Sequence, residues 1–122
     1  MCSSSLGEIT IIDWLIFNNV EFKPQYSFHD LKGFRKKIPL RFDFYIPSIN
    51  LLCEYDGIIH YKPTRFNRDL SEEEIVEAFE IQKYNDSLKN EYCLKNNIPL
   101  LRISYKEIKN ITEILTANIL KR

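Results

Sequence analysis

The chain has 122 residues, of which 44% are hydrophobic and 13% aromatic, and its 17 basic and 17 acidic side chains balance to a formal net charge of zero. That length is one domain able to bury its own core, and that composition excludes an intrinsically disordered chain. No apolar run approaches the ~20 residues of a membrane span, and a zero net charge speaks against a pure nucleic-acid binder, which carries excess positive charge.

Met1 to Ser5 lacks the basic segment of a secretory signal. Cys2, Cys53 and Cys93 are odd in number and widely spaced, with no CxxC and no zinc-type Cys/His pair, as expected of reduced thiols inside a cell. The expectation is a single domain over residues 1–122, either a whole protein or one domain of a longer one, acting in a cell or, if virus-encoded, in the host cell.

In chain order, Ser5 with Glu8 matches a capping box, and Ile9, Ile12, Leu15 and Ile16 follow at helical spacing, predicting a helix over 6–18. Val20, Phe22, Tyr26 and Phe28 predict a β-like segment interrupted by Pro24, and residues 29–38 a polar, basic loop around Gly33. Residues 40–46 and 51–56 read as two strands joined by a turn over Pro47–Asn50 and ended by Gly57, together a hairpin. Residues 60–70 read as a loop with Pro63. A second capping box, Ser71 with Glu74, opens a long helix to about Lys95, which Asn96, Asn97 and Pro99 end. Residues 100–104 predict a buried strand and 108–120 a terminal helix. The order α-β-β-β-α-β-α predicts an α/β fold, a mixed β-sheet flanked by helices.

The chemistry lies in the hairpin. A turn centred between Ser48 and Ile49 places Asp43 opposite Glu54, and directly opposed residues share a face ~5 Å apart. Asp56, two residues on from Glu54, points the same way. Opposed like charges destabilise a hairpin, and a divalent cation removes that penalty; hard oxygen ligands suit Mg²⁺, Mn²⁺ or Ca²⁺. The alternatives are a solvated acidic face, or carboxylates paired with Arg41 and Arg102. Gly57 frees the backbone to turn, and His60 follows beside the acids, where an imidazole can take a proton from water; otherwise it is an ordinary loop histidine. His29 has no such company and is expected to be structural.

The long helix adds support. Gln82, Asp86 and Lys89 fall on the same arc as Ile75, Ala78, Phe79, Ile81, Leu88, Tyr92 and Cys93, and inward-facing polar groups need partners or a site. Lys83, Asp86 and Lys89 are spaced so that neighbours meet. Either Asp86 forms an internal ion pair with Lys83 or Lys89, or the helix lends a carboxylate and an ammonium to the site. Two local basic patches are visible, Lys32, Arg35, Lys36 and Lys37, then Lys62, Arg65 and Arg68, set off by acidic residues elsewhere so that the net charge does not exclude a nucleic-acid enzyme.

The blocks Arg41-Phe42-Asp43-Phe44-Tyr45-Ile46-Pro47 and Glu54-Tyr55-Asp56-Gly57-Ile58-Ile59-His60-Tyr61, with Asp86 to Lys89 and Leu100-Leu101-Arg102-Ile103, resemble the very-short-patch-repair-like branch of the PD-(D/E)xK nuclease superfamily. Within it they are most similar to phage-type homing endonucleases described by an EDxHD motif. The resemblance runs from Gly7-Glu8 to the last helix. It implies a restriction-endonuclease-like core and Mg²⁺-dependent cleavage of DNA, with Glu8 as the first-helix glutamate, Asp43 as central metal ligand, Glu54 at the (D/E) position, His60 as the motif histidine and Asp86 as the late aspartate. Asp56 stands where the motif has lysine, so His60 becomes the candidate base and Lys83 or Lys89 the candidate source of positive charge. The repair endonucleases of this branch also carry a zinc site, whose cysteines this chain lacks.

The expected activity is therefore a metal-dependent endodeoxyribonuclease. Asp43, with Glu54 and Asp56, would hold Mg²⁺ or Mn²⁺, the basic patches would contact the DNA backbone, and a homodimer or a separate recognition domain would supply specificity. A structure-selective nuclease such as a Holliday junction resolvase is the alternative enzyme, and a non-catalytic DNA-binding module retaining the fold is the alternative outside the enzymes.

Overall fold

The computed structural model describes residues 6–35, 37–57 and 70–120. The first helix, α1 (Leu6–Phe17), buries Gly7, Ile11, Trp14 and Leu15, the spacing of one helical face. It stops at Asn19, which takes the left-handed conformation (φ 55) that asparagine tolerates. Four strands follow: β1 (Lys23–Lys32), β2 (Pro39–Ile46), β3 (Leu51–Asp56) and β4 (Leu100–Ser104). They form one sheet in the order β1-β2-β3-β4, with β1-β2 and β2-β3 antiparallel and β3-β4 parallel. The parallel pair requires a crossover, and α2 (Glu72–Lys95) supplies it. The result is the mixed sheet flanked by helices that the element order predicts.

The two faces of the sheet bury different cores. Ile11, Trp14 and Leu15 of α1 meet Phe44, Ile46, Leu51, Cys53 and Tyr55 on one face, with Ile111, Leu115 and Ile119 from the chain's last helical stretch. On the other, Phe42, Leu52 and Leu31 pack against Cys93, Leu88 and Tyr92 of α2. Side chains such as Phe42, Ile11 and Leu52 are wholly buried, each contributing roughly 1.5–3 kcal/mol. β3 is buried at all six positions, as expected of a strand covered by helices on both faces.

The long helix begins as the sequence predicts. Ser71 Oγ accepts from the Glu74 amide at 3.1 Å, and the Glu74 carboxylate accepts from the Ser71 amide at 2.9 Å, closing a capping box. The corresponding box at Ser5 lies outside the described residues. Three local expectations are corrected. Val20 and Phe22 precede β1 and pack against the core instead, while Pro24 sits within an edge strand, where a missing donor is tolerated. His29 to Lys32 belong to β1 and not to a loop; the turn is shorter and closes with the Gly33 amide donating to the Ile38 carbonyl at 3.3 Å. The terminal helix starts earlier, as a 3-10 turn over Tyr105–Asn110, becomes α3 (Ile111–Leu115) and widens to a π-helical turn over Thr116–Leu120. Thr116 Oγ1 and Asn118 Nδ2 donate to carbonyls four residues back, the kind of side-chain competition that loosens a helix.

Candidate active site

The β2-β3 register pairs Phe44 with Cys53, Tyr45 with Leu52 and Ile46 with Leu51, so the next position sets Asp43 opposite Glu54, as the turn placement predicts. There the ordinary ladder gives way to side chains. The Asp43 amide donates to Glu54 Oε1 at 3.0 Å, and the Tyr55 amide donates to Asp43 Oδ2 at 2.8 Å. Each carboxylate thus reaches across to the partner strand's backbone. The neighbouring strand bends at the same level. Gln25 has a φ of 51° and lies between the pairs Pro24–Phe44 and Tyr26–Phe42. Phe44 faces the α1 core and Phe42 the α2 core, so β2 switches faces at Asp43.

Burial, and after it the charge of Glu54, push the Asp43 carboxyl up to about 7; the Tyr55 amide and Lys89 oppose this, and the charge of Glu8 adds to it. Glu8 also acts, after burial, to raise the Tyr55 hydroxyl. The charge of Glu8 thus reaches both Asp43 and Tyr55. The close approach of α1 depends on Gly7, where a Cβ would lie 2.2 Å from the Tyr55 ring.

From the opposite face, Lys89 of α2 reaches Glu54. Its Nζ lies 2.6 Å from Glu54 Oε2 and 5.3 Å from the centre of the Phe42 ring, and both Lys89 and Glu54 are buried. The two candidate lysines are placed differently. Lys83 is exposed and lies over the Phe79 ring, whereas Lys89 is the ammonium at the carboxylates.

Asp56 joins a different set. Arg102 Nη1 lies 3.0 and 3.2 Å from its two carboxylate oxygens. Arg102 also donates from Nη2 to the Asp86 carbonyl at 3.4 Å and from Nε to Asn90 Oδ1 at 3.0 Å, and Nη2 is 3.9 Å from Asp86 Oδ1. Gln82 donates to Asp86 at 3.2 Å. Asp86 is thus paired with Arg102 and not with Lys83 or Lys89. From the sequence Arg102 is only one possible counter-ion for the acids; its position opposite Glu54 in the parallel register depends on which strand lies next to β3.

His60 lies outside the described residues, as do Lys36, Lys62, Arg65 and Arg68. Of the basic residues expected to meet DNA, Lys32, Arg35 and Lys37 are exposed around the β1-β2 turn. Among the described residues no group of three or more His, Cys, Asp or Glu side chains is gathered tightly enough to hold a metal ion. The larger cavities lie elsewhere. A groove of about 560 Å³ over Cys93, Leu94, Ile98 and Leu100 touches the ionic network through Arg102 and its partner Asn90. A second, about 520 Å³, lies over Phe34, Ile81 and Tyr84.

No family model matches the chain, and no solved structure matches it. Over 77 residues, 62% of its length, it is 36% identical to "Uncharacterized protein 307L" of Invertebrate iridescent virus 6, of which the match covers 36%. The chain therefore spans well under half of that relative. No helix among the described residues is long and apolar enough to cross a membrane.

Proposed function

We propose that the chain is a metal-dependent endodeoxyribonuclease domain acting inside a cell, resembling the PD-(D/E)xK superfamily. The observation that supports this most is the convergence of Asp43, Glu54 and Lys89 across two strands and a helix, with Glu8 close enough to shift Asp43. The Asp43 carboxyl is held up to about 7 first by burial and then by the charge of Glu54, so a cation at its oxygens would stabilise the ionised form. Two protein carboxylates, with phosphate oxygens and water completing the shell, suit Mg²⁺ or Mn²⁺. Asp43 and Glu54 would hold such an ion, and the chemistry it supplies is Lewis-acid neutralisation of charge on a scissile phosphate. Lys89 sets its ammonium beside the same carboxylate, where it offsets negative charge as the phosphate is attacked. His60 is the proposed proton acceptor. Lys32, Arg35 and Lys37 are proposed to follow the DNA backbone.

Specificity would come from a homodimer or from a recognition domain. A junction resolvase and a non-catalytic DNA-binding module are the competing readings. Incubation with Mg²⁺ and plasmid, linear duplex and four-way junction DNA separates them: cleavage of duplex supports the proposal, cleavage restricted to the junction supports a resolvase, and binding without cleavage supports the module.

A further inference from the structure

Arg102 is the point at which three elements of the site's framework meet. It sits on β4 and grips Asp56 at the end of β3 with both carboxylate oxygens at 3.0 and 3.2 Å. Through Nη2 and Nε it also holds Asp86 and Asn90 on α2. Lys89 lies between those two α2 residues in the chain, and its Nζ meets Glu54 at 2.6 Å. A helix can slide along a sheet or roll on it, and apolar packing resists both motions only weakly because it is non-directional. A planar guanidinium bound to two strands and to two points of the helix one turn apart restrains both.

From this we infer that Arg102 is a positioning residue that sets α2 so that Lys89 falls on Glu54, and that Asp56 anchors Arg102 and is not a metal ligand. Asp56, the departure from the (D/E)xK pattern, then has a function tied to the lysine that is missing from its position. The lysine is delivered from α2, and Asp56 with Arg102 fixes where it is delivered. The activity consequences rest on the nuclease reading, but the geometry does not.

The test separates the two. Acylation of lysine amines in the whole chain, read residue by residue by mass spectrometry, reports how well Lys89 is protected, with exposed Lys83 of the same helix as the internal reference. Arg102→Met and Asp56→Asn should each raise Lys89 labelling by about tenfold while Lys83 is unchanged, because a buried group reacts through local opening. Asn90→Ala should do so to a smaller extent, and Arg102→Lys should fail to restore protection, since an ammonium does not span the same fork of acceptors. If Arg102→Met unfolds the chain, Asp56→Asn and Asn90→Ala carry the measurement. Lys89 protected to within about twofold of the parent in the folded variants overturns the proposal. Weaker Mg²⁺ binding by Asp56→Asn with Lys89 still protected would make Asp56 a ligand and overturn it equally. In a cleaving parent, Arg102→Met and Lys89→Met should lower kcat alike, and the double variant should be no worse than either. A parent that cleaves nothing refutes the nuclease reading and leaves the labelling result standing.

Discussion

Lys89 Nζ lies 2.6 Å from Glu54 Oε2, and both side chains are buried, Lys89 being 9% and Glu54 4% exposed. Two charges so placed depend on each other. Lys89→Met should leave an uncompensated buried carboxylate and cost about 3–5 kcal/mol of stability, read by urea unfolding, and should lower kcat as much as Arg102→Met does. Lys83→Ala, on the exposed side of the same helix, should change stability by less than about 0.5 kcal/mol and cleavage by no more than a few-fold. Reversed severities would return Lys83 to the site.

Asp43 should make the metal-free protein less stable as pH rises. Its carboxyl is held up to about 7, first by burial and then by Glu54, whereas an aspartate in the unfolded chain titrates near ~3.9. The folded state binds this proton more tightly. Its contribution is therefore fully present below the unfolded pKa and is lost as pH rises through the folded value. In chelator, Asp43→Asn should melt higher than the parent at about pH 8, with the difference vanishing towards about pH 4. A difference that does not change with pH would place Asp43 in the ordinary carboxylate range.

Divalent cations should raise the melting temperature by mass action on the folded state. The shift should be larger above the pH at which Asp43 loses its proton, since cation and proton compete for the same oxygens. An Asp43→Asn, Glu54→Gln double variant should show no such shift. Equal shifts in the two proteins would point to ions acting on the surface at large.

Gly7→Ala should act on the site from a distance. The added Cβ would lie 2.2 Å from Tyr55 ring atoms, and Tyr55 is buried between α1 and the sheet. Either the ring or the helix must move, at about 1–3 kcal/mol. Because the next residue is Glu8, a displaced helix should also lower cleavage. Loss of stability with full activity would separate Glu8 from the chemistry.

If His60 is the base, cleavage should rise with pH through the imidazole pKa, ~6.5 when unperturbed. His60→Ala should slow the reaction by roughly 10²–10⁴-fold and leave Mg²⁺ affinity nearly unchanged. A variant within a few-fold of the parent across the whole pH range would rule it out.

The amino-acid order alone determined what depends on near neighbours. The Asp43–Glu54 apposition follows from a turn of known length and an alternation of period two, and α2 announces itself by a capping box between residues three positions apart. The side on which Lys89 rather than Lys83 falls was half legible, since helical periodicity puts Lys89 on the apolar arc but leaves open what faces that arc. Only the tertiary structure decided that β4 runs parallel beside β3, and with it that Arg102 stands opposite Glu54 and grips Asp56, Asp86 and Asn90. It also decided that β2 switches faces at Asp43, at the level where Gln25 of β1 takes a positive φ. The physical reason is range. Turns, caps and periodicities are set by backbone sterics over a few residues, whereas the partner of a buried charge is chosen by which distant segment shares its desolvated space, and a Lys–Glu pair 35 positions apart leaves no trace in local spacing.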